Sequence, residues 1–352
     1  MIPVFDGHND ILYRLNATPD RRREIWLGDD GKGQLDLPRM KAGGFAGGFF
    51  AIYIPSPSDF DAPAMLAAMD NPPYDFPLPD LIDHHAAQTV ALAQIGHLMW
   101  MERTAPADFR ICRTTAELHA AMATGQIAAI MHMEGAEPID PDLDALHAFH
   151  AMGLRSIGPV WSRPTIFGNG VPFRFPSTGD TGPGLTEAGK RLIRECNALK
   201  MMIDLSHLNE AGFNDVAALS DAPLVATHSN AHAICPTSRN LTDRQLAMIR
   251  DSGGMVGLNF ATCFLRPDGR ESADMSMDPM LHHLDHMISY LGEDHVGLGS
   301  DFDGATMPQD IKDVAGLPKL LTAMKDRGYP DALIRKLAHE NWLSLLGRTW
   351  AA

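Results

Sequence analysis

Side chains able to hold a divalent cation or move a proton recur at one kind of place in this sequence, just after a short apolar run. His8 and Asp10 lie in DGHND, Glu134 in MHMEGAEP, His207 in MIDLSH, His228 in LVATHS and Asp301 in GLGSDFDG. Imidazoles mixed with carboxylates suit zinc or a similar ion. Even five such ligands exceed what one open catalytic zinc takes. They are natural for two ions sharing a bridging carboxylate, with water completing the site. A lone histidine after a strand is as a rule a satisfied structural residue, so the argument rests on the joint pattern.

Those residues need a scaffold that brings distant strand ends together. Eight short apolar runs read as strands, at 3–6, 47–54, 127–133, 154–159, 201–204, 224–227, 255–259 and 296–299. Several are apolar throughout, as expected of strands covered on both faces. Helical periodicity falls between them, at 81–103, 115–124, 143–152, 186–199, 209–219, 242–251 and 280–291. Strands and helices alternating in this way predict a parallel α/β fold, a (β/α)₈ TIM-type barrel with its site at the C-terminal ends of the strands. Two long βα loops, 55–79 and 163–184, are rich in proline or glycine and fall on that rim. With no repeat and no linker, residues 1–352 read as a single catalytic domain.

Bulk properties exclude other classes. A net charge of −15 leaves no basic stripe for nucleic acid. Composition is that of a globular chain, with 45% hydrophobic and 21% charged residues, so disorder is not indicated. Cys112, Cys196, Cys235 and Cys263 form no CxxC pair, which argues for reduced thiols and a cytoplasmic setting. No signal peptide or membrane span is expected. His84, His85, His282, His283 and His286 read as helix-face residues, and His132 in the third strand stays unassigned. No GxGxxG-type loop supports a nucleotide.

The motifs DGHND, MEGAEP, GLRSIGP, GLTEAGKRLIRECNALKMMIDLSH, APLVATHSNAHAICPTSRNLTD and GLGSDFDG occur in one order over nearly the whole chain. In this the chain resembles the membrane (renal) dipeptidase family of zinc metallopeptidases, on an amidohydrolase-like barrel. The resemblance implies two zinc ions, one on His8 and Asp10, the other on His207 and His228, bridged by Glu134 and a water or hydroxide. It makes Asp301 the catalytic acid/base and Arg239 the grip on a substrate's terminal carboxylate. Many members carry a histidine in the loop after the fourth strand, where this chain has Trp161. Indole donates a hydrogen bond but cannot become cationic. Carbonyl polarisation then falls to zinc alone or with help from Arg163 or another loop residue, and Trp161 shapes the pocket as a substrate-binding residue.

The activity so implied is hydrolysis of dipeptides, including L-Xaa-D-Xaa substrates such as L-Ala-D-Ala, with β-lactam hydrolysis as a side activity. The resemblance also suggests a homodimer. Competing expectations are another binuclear amidohydrolase, acting on N-acyl amino acids, lactones or cyclic amides, and a non-catalytic binding protein on the same fold.

Overall fold

The computed structural model describes residues 2–56 and 62–350. All eight expected strands are present: β1 Val4–Asn9, β2 Phe45–Tyr53, β3 Ile127–Glu134, β4 Leu154–Ile157, β5 Met202–Ile203, β6 Val225–Ala226, β7 Met255–Leu258 and β8 Val296–Leu298. Their order around the sheet is β5-β4-β3-β2-β1-β8-β7-β6, and the pairings are parallel. A parallel bridge between Asp204 and Val225 spans the remaining gap between β5 and β6. The architecture is therefore a nearly closed α/β barrel of eight parallel strands.

Strands β5 and β6 are shorter than their apolar runs suggest, for a local reason. The Asp204 carboxylate accepts the backbone N–H groups of Ser206 and Thr227, at 3.0 and 2.9 Å. A side chain thus replaces the ladder where the backbone turns toward the rim. Three of the helices that follow strands have their starts fixed by side-chain caps. Thr186, Asn209 and Thr242 each accept a backbone N–H from the first turn, so these helices begin one residue after the cap.

The opposite end of the barrel is plugged by the helix Asn341–Trp350. Trp342 is fully buried, donates its indole N–H to Leu298 O at 2.9 Å and lies edge-on to Phe49. Its ring occupies space that a side chain at Gly7 or Gly297 would fill, since a Cβ at either would sit 2.7 Å from it. Glycine is required there because the indole and the strand backbone come so close.

The two long loops meet over the rim. Tyr74–Asp75 pairs antiparallel with Arg174–Phe175, and Arg174 Nε donates to Asp75 at 2.6 Å. Residues 57–61 of the first loop lie outside the described residues, and a helix, Ala62–Met69, follows them. No helix among the described residues is long and apolar enough to cross a membrane. All four cysteines are free and buried.

Candidate metal centre

The structure brings His8, Asp10, Glu134, His207, His228 and Asp301 together at the C-terminal rim. His8 lies within β1 and Glu134 ends β3, while Asp10, His207, His228 and Asp301 follow β1, β5, β6 and β8. Glu134 Oε1 is the hub, at 3.0 Å from His207 Nε2, 3.3 Å from His228 Nε2 and 3.6 Å from His8 Nε2. His8 Nε2 lies 3.3 Å from Asp10 Oδ2. Two triads, His8–Asp10–Glu134 and Glu134–His207–His228, each keep their ligand atoms within 4.8 Å of one another, and they share Glu134. A third, His8–His228–Asp301, brings Asp301 against the same cluster.

The donor set fits a metal. His8 is fully buried, yet among the described residues neither ring nitrogen has a hydrogen-bond partner. Buried polar atoms are rarely left so. Charge tells the same story. Burial drives Glu134 well above the usual carboxylate range, with Asp10 and Asp301 adding to it against His8. Burial and the neighbouring Asp10 push Asp301 up to about 6. For His8 burial favours the neutral ring, but Glu134 and Asp10 outweigh it and raise the imidazole to about 10. A crowd of desolvated carboxylates takes up a proton where a cation would offset it. Burial, with Arg239 and His8 nearby, keeps His207 and His228 neutral, the form that binds metal.

Backbone geometry serves the site at its edges. His207 and Asp301 both have left-handed φ, 68° and 63°. Such conformations are costly for non-glycine residues and concentrate at functional positions. Asp301 Oδ2 accepts the side-chain amide of Asn259 at 3.0 Å. His207 Nδ1 lies 2.8 Å from Ser162 Oγ and accepts from Arg239 Nε at 3.1 Å.

Beside the cluster a cavity of about 430 Å³ is lined by Asp10, Glu134, His207 and Asp301 on one side and by Tyr53, Trp161, Phe173 and Phe264 on another. Trp161 packs edge-on to Tyr53 and Phe173, at 5.1 and 5.6 Å between ring centres. Arg163 is not available to a substrate. It is fully buried, bound to Glu137 at 2.8 Å, Ile54 O and Ser56 Oγ, so the sequence-level option that it helps polarise a carbonyl does not fit. Arg239 lies behind the cavity wall, only 4% exposed, with its guanidinium 5.6 Å from the Phe264 ring centre. Three of its N–H groups engage His207, Ser229 Oγ and His228 O. A guanidinium has five, so two remain among the described residues.

The model of the membrane dipeptidase family (peptidase family M19) matches residues 1–351. This chain belongs to that family. Among solved structures it is similar to a metallopeptidase from Rhodobacter sphaeroides, liganded with a phosphinate mimic of the dipeptide L-Ala-D-Ala. The two are 68% identical, with a TM-score of 0.98 and 99% of each chain covered. It is also similar to the dipeptidase AC, a family M19 metallopeptidase, at 67% identity and a TM-score of 0.97, covering 100% of this chain and 99% of that one. An uncharacterised Klebsiella pneumoniae protein from the pqqA 5′ region is 50% identical over 241 residues, 68% of this chain and 89% of its own.

As an M19 peptidase the chain is a metal-dependent hydrolase. Several residues of its site escaped the sequence reading. Asn259 ends the seventh run and could have been found by the same strand-end rule. His132 faces the barrel interior, with Nδ1 2.9 Å from Ser156 Oγ and Nε2 3.5 Å from Asp204 Oδ2. Alternation along β3 left its direction open. His283, by contrast, packs a helix, between Ala231 N and Leu265 O, as a structural residue.

Proposed function

We propose that this M19 peptidase hydrolyses dipeptides, L-Xaa-D-Xaa such as L-Ala-D-Ala included, with two zinc ions. His8 and Asp10 would hold one, His207 and His228 the other, and Glu134 both. The observation that carries this is the pair of ligand triads sharing Glu134 at one edge of the cavity. The likeness to a relative bound to a mimic of L-Ala-D-Ala supports the substrate class. One buried apolar cluster reaching from Val4 to Ala338 supports a single catalytic domain.

Bound zinc would supply Lewis acidity toward a carbonyl and lower the pKa of a bound water to about 7. The chain's own residues do the rest. Asp301, raised by burial and oriented by Asn259, is suited to take a proton from the attacking water and deliver it to the departing amine. Arg239 would offer its charge and remaining donors to a terminal carboxylate, the role that the family resemblance gives it. Tyr53, Trp161, Phe173 and Phe264 wall the cavity and exclude bulk water.

The test is elemental analysis of the purified chain with kinetics on L-Ala-D-Ala, its N-acetyl form and its C-terminal amide. Two zinc per chain and turnover of the free dipeptide alone are expected. Turnover of the N-acetyl form with equal efficiency would transfer the reading to N-acyl amino acids. Absence of metal after reconstitution would end it. For Arg239→Lys, the preference for free carboxylate over amide should shrink about 10- to 100-fold, the range of one or two charge-assisted hydrogen bonds.

A further inference from the structure

Beneath the ligand cluster the barrel interior holds a second polar layer that the proposed reaction leaves unused. Asp204 is almost fully buried there and has no Lys or Arg partner among the described residues. Its Oδ1 accepts the backbone N–H groups of Ser206 and Thr227, and its Oδ2 accepts the Thr227 hydroxyl at 2.6 Å. Thr227 Oγ1 also lies 2.8 Å from His228 Nδ1. The other nitrogen of that ring, Nε2, faces Glu134 Oε1 at 3.3 Å and His207 Nε2 at 3.1 Å.

The direction of these bonds follows from the proton count. A threonine hydroxyl has one proton to give. Two backbone donors on one oxygen favour Asp204 as the charged, acceptor-only carboxylate. The Thr227 proton therefore goes to Asp204, and its lone pair faces His228 Nδ1. That nitrogen must carry the ring proton, which leaves the Nε2 lone pair directed at the metal cluster. His132 Nε2, from β3, lies 3.5 Å from Asp204 Oδ2, beyond a formed hydrogen bond. His8, in the other triad, has no such support, because its Nδ1 is without a hydrogen-bond partner among the described residues.

We infer that Asp204, acting through Thr227, is a positioning residue that fixes His228 as its Nδ1–H tautomer and sets the metal affinity of the His207–His228–Glu134 half of the site. The inference rests on the two-metal reading above. It makes the two ions unequal, because only one of them draws on this relay. Partners that orient a ligating histidine are typically worth 10- to 100-fold in metal affinity.

The test is stepwise zinc binding by the full-length chain in competition with a chromophoric chelator. Thr227→Val keeps the shape and removes the relay, while Thr227→Ser restores the hydroxyl. One of two zinc ions should bind about 10- to 100-fold more weakly in Thr227→Val, the other should stay within a few-fold of wild type, and Thr227→Ser should recover both. Two unchanged affinities in Thr227→Val would overturn the inference alone. So would an equal loss of both accompanied by a lowered melting temperature, which marks a merely structural role. A wild-type chain that binds no zinc would overturn the two-metal reading along with it. A readout without any variant is the long-range ¹H–¹⁵N spectrum of the histidines before zinc is added. His228 already protonated on Nδ1 would support the relay, and protonation on Nε2 would overturn it.

Discussion

Asp301 and Asn259, on the loops that follow adjacent strands β8 and β7, are joined by a hydrogen bond of 3.0 Å from the amide to the carboxylate. The amide is itself held, because Asn259 Oδ1 accepts Ala261 N at 2.6 Å. Its donor therefore points at one oxygen of Asp301, and among the described residues the other oxygen accepts no hydrogen bond that would hinder proton exchange. Since Asp301 is proposed to move protons rather than bind metal, its loss should separate binding from chemistry.

Asp301→Asn should keep its zinc content and lose about 10²- to 10⁴-fold in kcat, the usual contribution of a positioned acid/base. Elemental analysis and kinetics on the same sample check this. Loss of metal along with activity would make Asp301 a ligand instead.

Trp161 can shape the cavity but cannot donate charge. Trp161→Ala should therefore raise KM for apolar dipeptides by about tenfold or more, with kcat falling less, the pattern of lost uniform binding. A collapse of kcat at unchanged KM would instead show that the indole N–H acts on the transition state.

Arg163 and Glu137 form a buried ion pair at 2.8 Å, with side chains 0% and 1% exposed. Burial raises Glu137 despite Arg163, so the carboxylate depends on its partner. Arg163→Met should destabilise the chain by about 3–5 kcal/mol, because it leaves a buried carboxylate unpaired. Adding Glu137→Leu should recover much of that. Urea unfolding of both variants reads the difference, and similar losses in the two would count against the pair.

His283 should make stability fall in mild acid. Its Nδ1 accepts Ala231 N–H, its Nε2 donates to Leu265 O, and burial pushes the imidazole down from 6.5 to about 4. Below the unfolded value the unfolded chain takes up a proton that the folded chain refuses. Its contribution is full above about 6.5 and is lost as pH falls toward 4, at up to about 1.4 kcal/mol per pH unit. Between pH 7 and pH 5, wild type should lose about 1–2 kcal/mol more than His283→Gln in urea unfolding. Equal losses would remove His283 as a cause.

The proposed ligand set was legible because each of its members follows an apolar run. Strands covered on both faces are nearly free of polar residues, so the first polar side chains past them stand out. The helix starts at Thr186, Asn209 and Thr242 were legible for a similarly local reason, since the cap and the first turn are neighbours in sequence. Asn259 obeyed the strand-end rule as well, but an amide does not announce chemistry as a histidine does. The pocket role of Trp161 rested on the family resemblance and on what indole can and cannot donate.

What the sequence determined by itself is the order of strands and helices and the residue types at each strand end, both local in chain distance. Tertiary structure decided which of those residues meet. Glu134 became the hub only because the barrel brings the ends of β1, β3, β5 and β6 around one point. The same closure gave Arg163 to Glu137, turned His132 toward Asp204 and set Arg239 behind Phe264. None of these pairings has a spacing or period of its own, because each depends on where the barrel closes.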